Sequence, residues 1–221
     1  YITMDNIRLY IKESIHELQH HIEISLSANI KSMISILRHH AIAHLYTINI
    51  LAQLAFGFIT SYAGFYFEDK LGYTATSLGI YMVSVGVLIA LYQGFIIRKI
   101  LARSTERRSL ITALTLLIVS LAMYTQISYF YEPFIIAIFS TLGFSMASVI
   151  LNAEIARQAP KEIRGEVLGL GSALQTIGMG IPSLVAGVLA SAFSVTAPFY
   201  LGTCLAAASL YFVFRNFHVI K

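Results

Sequence analysis

The stretch APKEIRGEVLGLGSALQTIGMGIP, from Ala159 to Pro182, begins as a charged, proline-led loop and turns into an apolar run studded with glycine. In water, a glycine inside a helix costs about 1 kcal/mol relative to alanine. In hydrocarbon, unpaired backbone groups are so costly that a helix persists despite its glycines. The pattern therefore predicts a transmembrane helix built for close packing.

The whole chain has the composition of a membrane protein. Of its 221 residues, 57% are hydrophobic and 12% are charged, against about 25% charged in an average soluble domain. A soluble domain of this length cannot hide so much apolar surface. The single cysteine, Cys204, excludes an internal disulfide and offers no metal-ligand cluster. We therefore expect a polytopic membrane protein with no cofactor and no metal.

Six stretches are long and apolar enough to cross a bilayer, which takes roughly 20 residues in a helix. A β-barrel would instead show segments of roughly ten alternating residues, and the chain lacks them. We therefore predict an all-α membrane protein with a six-helix transmembrane bundle over residues 41–216. The predicted spans are 42–66, 77–97, 109–127, 133–153, 166–190 and 196–214.

Basic residues orient this bundle. They gather before the first span, in the second and fourth loops and in the tail, while Lys70 stands alone on the other side. Positively charged loops stay cytoplasmic, so both termini are expected in the cytoplasm, most simply beneath a bacterial inner membrane. The net charge of +4 follows from this topology and needs no nucleic-acid partner.

The first forty residues carry an apolar stripe at helical spacing. We predict that residues 1–40 form a cytoplasmic amphipathic linker helix, lying on the membrane face or across the bundle. His16 and His20 are spaced to share a metal, but they lack a third ligand on a rigid partner. We interpret them as solvated surface histidines. Residues 217–221 form a short cytoplasmic tail.

Small residues recur along the fifth span at steps of three and four, which places them on one narrow side of a helix. Close backbone approach through such residues drives helix association in lipid. Pro182 is expected to bend the helix nearby. Static packing and a rocking motion both fit this small-residue seam. Its members are Gly169, Ala173, Thr176, Gly180, Ser183, Gly187 and Ser191.

Three loop motifs resemble the major facilitator superfamily. RQAPKEIRGEVLG (157–169) resembles the cytoplasmic loop between helices 10 and 11, and YQGFIIRKILARSTERRSL (92–110) resembles the loop between helices 8 and 9. KLGYTATSLGIYMVSVGVL (70–88) is similar to the start of helix 8. Their order implies the C-terminal half, helices 7–12, of a twelve-helix fold, closest to drug:proton antiporters of the tetracycline and multidrug efflux type. Thr105 replaces the glycine usual before Glu-Arg-Arg.

This resemblance implies that helices 7, 8, 10 and 11 face a central cavity or the other half. Polar residues in the corresponding spans fit this, because amides in hydrocarbon are costly unless they pair or meet water. Taken singly, such a residue is more often a hydrogen-bonding contact between helices than a substrate contact. Asn152 is a further polar residue of the fourth span. Asn49, Gln53 and Gln175 lie nearest mid-membrane at similar depths, and we expect them to converge on one cavity. The candidate substrate-cavity residues are Asn49, Gln53, Gln93, Ser145, Ser148 and Gln175.

Charged residues at the cytoplasmic ends resemble the gate that locks this side in the outward-open state. Glu154 lies three residues before Arg157, and we interpret it as part of this gate. The alternative is an ordinary interfacial ion pair, worth under about 1 kcal/mol. The candidate gate residues are Arg98, Arg103, Arg107, Arg108, Glu154, Arg157 and Arg164.

We therefore expect a secondary active transporter that exports small amphipathic compounds by alternating access. Its partners would be the missing N-terminal six-helix half, membrane lipid, a small-molecule substrate and a coupling ion, suspected to be the proton. A non-transporting six-helix subunit that anchors or regulates a larger complex is the alternative. An enzyme is disfavoured, because the spans carry no His/Asp/Glu cluster.

Overall fold

The computed structural model describes residues 40–215, and within them six helices are long and apolar enough to cross a membrane. The predicted all-α membrane fold is thus confirmed. Four helices extend beyond the predicted spans at both ends, whereas the third ends at Tyr124, before the predicted position 127. The predicted linker helix and the tail 217–221 lie outside the described residues. The helices are α1, His40–Leu71; α2, Ala75–Leu101; α3, Glu106–Tyr124; α4, Glu132–Gln158; α5, Arg164–Ala192; and α6, Ala197–Arg215.

Short connections join these helices in an up-and-down order. Gly72 ends α1 with a positive φ of 66°, and its N–H bonds the Glu68 carbonyl at 3.0 Å. Thr74 then caps α2 by accepting a bond from the Ser77 N–H. We call the end of the bundle with loops 102–105 and 159–163 the basic end. The opposite end is called the aromatic end.

Helices α1 and α4 form the centre of the bundle. Of their apolar windows, 67% is buried, against 17% for α2 and for α5. Phe56 of α1 stacks on Phe144 of α4 with ring centroids 3.9 Å apart. On the other side of α1, the Ser209 hydroxyl of α6 donates to the Ile48 carbonyl at 2.9 Å. Most of the α2 and α5 surfaces therefore face outward.

Glycine sets the spacing between α3 and α4. A Cβ atom on Gly143 would lie 2.6 Å from the Ala113 carbonyl oxygen and 3.0 Å from the Leu117 nitrogen. Real Cβ atoms do not approach backbone this closely, so only glycine permits this crossing.

A narrow line of contacts joins α5 to α1. The Tyr46 hydroxyl donates to the Val167 carbonyl at 2.5 Å. Two turns further along, a Cβ on Gly178 would meet the Gln53 Cβ at 2.9 Å, and one on Gly57 would meet the Pro182 Cγ at 2.8 Å. Close packing of α5 therefore depends on Gly178 and Pro182.

The small-residue seam predicted on α5 does not lie on the side of the helix that contacts α1. A Cβ on Gly169, Gly180 or Gly187 would find no atom within 4 Å in the described part of the chain. The expectation that the seam meets a neighbouring helix is therefore not met inside residues 40–215, because the buried line of α5 runs through other positions. All of the seam residues are exposed: Gly169, Ala173, Thr176, Gly180, Ser183, Gly187 and Ser191.

Buried aromatic side chains pack against one another at the aromatic end. The Tyr81 and Tyr124 hydroxyls lie 2.9 Å apart, and both rings pack against Phe67 of α1. The Tyr73 hydroxyl donates to the Phe130 carbonyl. Because these rings come from α1, α2, α3 and two loops, this end holds several helices together at once.

Candidate functional site

A row of polar side chains crosses the centre of the bundle between α1 and α4. The Gln53 amide nitrogen donates to Asn49 Oδ1 at 3.4 Å, and Asn49 Nδ2 donates to Asn152 Oδ1 at 3.2 Å. Asn152 Nδ2 then donates to the Ser148 hydroxyl at 3.3 Å. We call these four residues the amide row. It supplies the hydrogen bonds that amides need in hydrocarbon.

The amide row reaches a cavity at Asn152. This cavity of about 180 Å³ lies between α4 and α5 and is lined by Asn152, Ser172 and Gln175 beside Val167 and Gly171. Its polar groups are amides and a hydroxyl, and the rest of its wall is apolar. Such a cavity suits an uncharged or amphipathic molecule that can exchange hydrogen bonds.

The structure divides the predicted cavity residues into groups. Gln175 lines the cavity, as does Asn152, which the sequence indicated only as one of the polar residues of its span. Asn49 and Gln53 are 4% and 1% exposed and lie behind Asn152 in the row. Asn49, Gln53 and Gln175 therefore do not converge on one cavity as expected. Gln175 lines the cavity, whereas Asn49 and Gln53 connect to it through Asn152.

The remaining predicted cavity residues lie apart from this cavity. Ser148 ends the amide row, and Ser145 is fully buried. The Ser145 hydroxyl has no hydrogen-bond partner within the described residues. Gln93 is exposed on a π-helical turn, Tyr92–Ile96, on the outward side of α2. It would meet a substrate only if another part of the protein covered α2.

Gln53 links the amide row to α5. Its Cβ lies against Gly178, and its Oε1 is buried without a hydrogen-bond partner among residues 40–215. An unsatisfied buried acceptor costs about 1–3 kcal/mol. One end of the row is therefore an unpaired hydrogen-bond acceptor where α1 and α5 pack closely.

An ion network lies at the basic end. Arg157 binds both oxygens of Glu106, at 3.2 and 2.6 Å, and it also pairs with Glu154. Gln158 donates to the other oxygen of Glu154 at 2.6 Å. Glu154 is 4% exposed, so Arg157 and Gln158 compensate a buried carboxylate. This network ties the start of α3 to the end of α4.

Glu106 is the charged member of this network that the sequence did not single out. Thr105, which departs from the usual motif, accepts a bond from the Arg108 N–H at 3.4 Å and caps α3. Because that cap fixes the first turn of the helix, Glu106 stands where Arg157 can reach it. The sequence pattern that could have indicated this network was one Arg and two Glu residues close to the ends of neighbouring helices.

The other predicted gate residues lie at the same end of the bundle as this network. Arg107 is half-buried in the first turn of α3. The remaining arginines of the set are exposed at the basic end: Arg98, Arg103, Arg108 and Arg164. No group of three or more His, Cys, Asp or Glu side chains suited to a metal occurs within residues 40–215.

Comparison with known proteins defines the class. The chain belongs to the MFS_1 like family, whose sequence profile matches residues 3–201. It is an integral multi-pass membrane protein of a transporter family. The chain is also 32% identical, over 82 residues, to an uncharacterized MFS-type transporter of Methanocaldococcus jannaschii. That match covers 37% of this chain and 21% of the relative's length.

Proposed function

We propose that this chain forms one half of a secondary transporter of the drug:proton antiporter type, which exports small amphipathic compounds by alternating access. In such transporters two bundles rock about a site near the middle of the membrane. Here that site would be the cavity of Asn152 and Gln175, closed on its other side by a second six-helix half. Both termini of this half would lie in the cytoplasm.

The observation that carries this proposal is the junction of the amide row with the cavity. The Asn152 side-chain oxygen and nitrogen hydrogen-bond Asn49 and Ser148, and the residue also lines the cavity beside Gln175. A substrate that bonds Gln175 therefore lies next to a hydrogen-bonded path into the bundle. Polar groups in hydrocarbon that border a cavity typically mark a transport pathway.

The outward faces of α2 and α5 support a second half as partner. A Cβ on Gly79, Gly86 or Gly94 of α2 would meet no atom within 4 Å in the described bundle, like the glycines of the α5 seam. Small residues on exposed membrane helices suit the close approach of another helix. Gln93 lies on the same helix and would then face the interior between the two halves.

The ion network at the basic end supports a gate. Arg157 joins α3 to α4 through Glu106 and Glu154, and these contacts would hold the cytoplasmic side closed while the site faces outward. The carboxylates of the described residues all lie near helix ends or loops. A group that carries the coupling proton through the membrane would therefore come from the other half.

Transport in everted bacterial membrane vesicles tests this function. The protein, expressed from its complete gene, should accumulate members of a panel of ethidium, tetraphenylphosphonium and tetracycline when a pH gradient is imposed. A protonophore should abolish accumulation, and Asn152→Leu should lower it at equal protein level. Accumulation of no compound, or accumulation that a protonophore leaves intact, would contradict proton-coupled export of these compounds.

A further inference from the structure

A long apolar groove lies between α3 and α4 at the aromatic end, away from the amide row. Its volume is about 620 Å³, within the range of about 300–1,000 Å³ typical of small-molecule sites. Ile118, Val119 and Met123 of α3 form one wall, and Ile135 and Ile136 of α4 form the other. The groove is therefore large enough for a lipid chain.

The groove opens on an exposed apolar surface of the bundle. Val119, Met123 and Ile135 are 51%, 46% and 47% exposed, and both helices are apolar enough to cross a membrane. From Ile118 to Met123 the groove follows α3 for about 8 Å at 1.5 Å per residue. It therefore lies within one leaflet, where the surrounding medium consists of acyl chains.

Polar groups stand at the rim of the groove, where α4 begins. Glu132 Oε2 accepts hydrogen bonds from the Ser128 N–H at 2.6 Å and the Tyr129 N–H at 2.9 Å. Both bonds go to one oxygen, so Oε1 stays open among the described contacts of this carboxylate. Gln126 and Tyr131 line the groove beside Glu132. The rim is thus a fixed carboxylate between two hydrogen-bonding side chains.

The charge of the rim selects between lipid headgroups. Lys70 is the basic residue that the described chain places at this end of the bundle, and it lies in the last turn of α1 and does not line the groove. A carboxylate in a weakly hydrated interface favours an ammonium group that can donate hydrogen bonds. A quaternary ammonium cannot donate, and an anionic headgroup would be repelled.

We propose that this groove binds a membrane phospholipid with a primary-amine headgroup. One acyl chain lies between α3 and α4, and the ammonium bonds the Glu132 carboxylate near Gln126 and Tyr131. The lipid then fills a gap that the two helices leave open at the end where α4 begins.

Lipid titration of the purified protein in detergent tests this site. Phosphatidylethanolamine, phosphatidylcholine and phosphatidylglycerol with identical chains are compared by native mass spectrometry and by Tm. We expect phosphatidylethanolamine to bind at least tenfold more tightly than the other two. Glu132→Gln removes the charge but keeps an oxygen for the Ser128 and Tyr129 N–H groups, and it should lose this preference.

Two further variants complete the test. Ala122→Phe places a ring in the groove and should weaken the binding of all three lipids. Asp69→Asn removes a carboxylate at the same end but off the groove, and it should leave the preference unchanged. Equal affinity for the three lipids, a preference that survives Glu132→Gln, or full binding to Ala122→Phe would overturn the proposal.

Discussion

Gly57 lies so close to Pro182 that a Cβ atom on Gly57 would stand 2.8 Å from the proline Cγ. The same atom would lie 3.0 Å from the Gly178 carbonyl oxygen. Only 17% of the apolar window of α5 is buried, so this contact is one of the few that position α5. It couples the helix at the centre of the bundle to one at its surface.

Replacing Gly57 by alanine should therefore weaken the fold. Overpacking of this kind typically costs about 1–3 kcal/mol, and the proline ring has little freedom to yield. Size-exclusion chromatography after heating should show a lower Tm. Gly64→Ala is the matched control, because a Cβ there meets no atom within 4 Å. An unchanged Tm for Gly57→Ala would mean that α5 shifts without cost.

Gly180→Leu tests the outward seam of α5. Within the described bundle the leucine meets open space, so the six-helix fold and its Tm should stay as they are. If the seam receives another half of the protein, transport in the vesicle assay should fall at least tenfold. Gly180→Ala, which adds one methyl group, should keep most of the activity. Full transport by Gly180→Leu would place the seam against lipid or an open cavity.

Replacing Arg157 should destabilise the fold more than replacing Glu106, although the two residues form one ion pair. Removing Glu106 by Glu106→Gln breaks an exposed pair worth about 0.2–1 kcal/mol. Removing Arg157 by Arg157→Gln leaves the buried Glu154 carboxylate with Gln158 alone, and should cost about 2 kcal/mol. Chemical denaturation of the purified protein would measure both. Equal losses would show that Glu154 needs no charge from Arg157.

A substitution in the amide row should lower stability, whereas a substitution of Gln175 should alter substrate binding. Asn49→Leu strands the groups of Gln53 and Asn152 that face it, so we expect a loss of about 1–3 kcal/mol. Gln175→Leu touches only the cavity wall in the described contacts, and it should change substrate KM with little effect on Tm. A Gln175→Leu protein that transports every substrate like the parent would remove the cavity from the pathway.

Cysteine labelling tests the orientation proposed from charge. In a Cys204→Ser background, cysteines at Thr74 and Ser194 of the aromatic end should react with an impermeant maleimide on intact cells. Cysteines at Ser104 and Lys161 of the basic end should react only after permeabilisation. All four positions lie in loops or at helix ends. The reverse pattern would invert the topology.

Hydropathy was sufficient to predict the helices of this fold. The stretch 166–190, for example, lies inside α5, Arg164–Ala192, because a bilayer fixes both the length and the composition of a span. The packing face of α5 was not predictable in the same way. Gly178 and Pro182 fit against α1 only because Gly57 is opposite them, and spacing along one helix says nothing of its neighbour.

The residue types of the candidate site were predictable from the sequence, but which residues contact one another was not. Asn49, Gln53 and Gln175 were expected to share a cavity from their similar depths, yet depth does not fix the direction of a side chain. Asn152 joins them because it faces α1 and α5 at once. Glu106 was missed for a related reason: its importance comes from reaching Arg157 across 51 residues of sequence.

The bonds of the amide row all run one way, from Gln53 through Asn49 and Asn152 to Ser148. Turning all three amides over reverses every bond and keeps their number, because the Ser148 hydroxyl can donate as well as accept. Turning one alone sets like atoms against each other. The row thus has two arrangements with the same number of hydrogen bonds, and they differ in whether Gln53 presents an oxygen or an N–H beside α5.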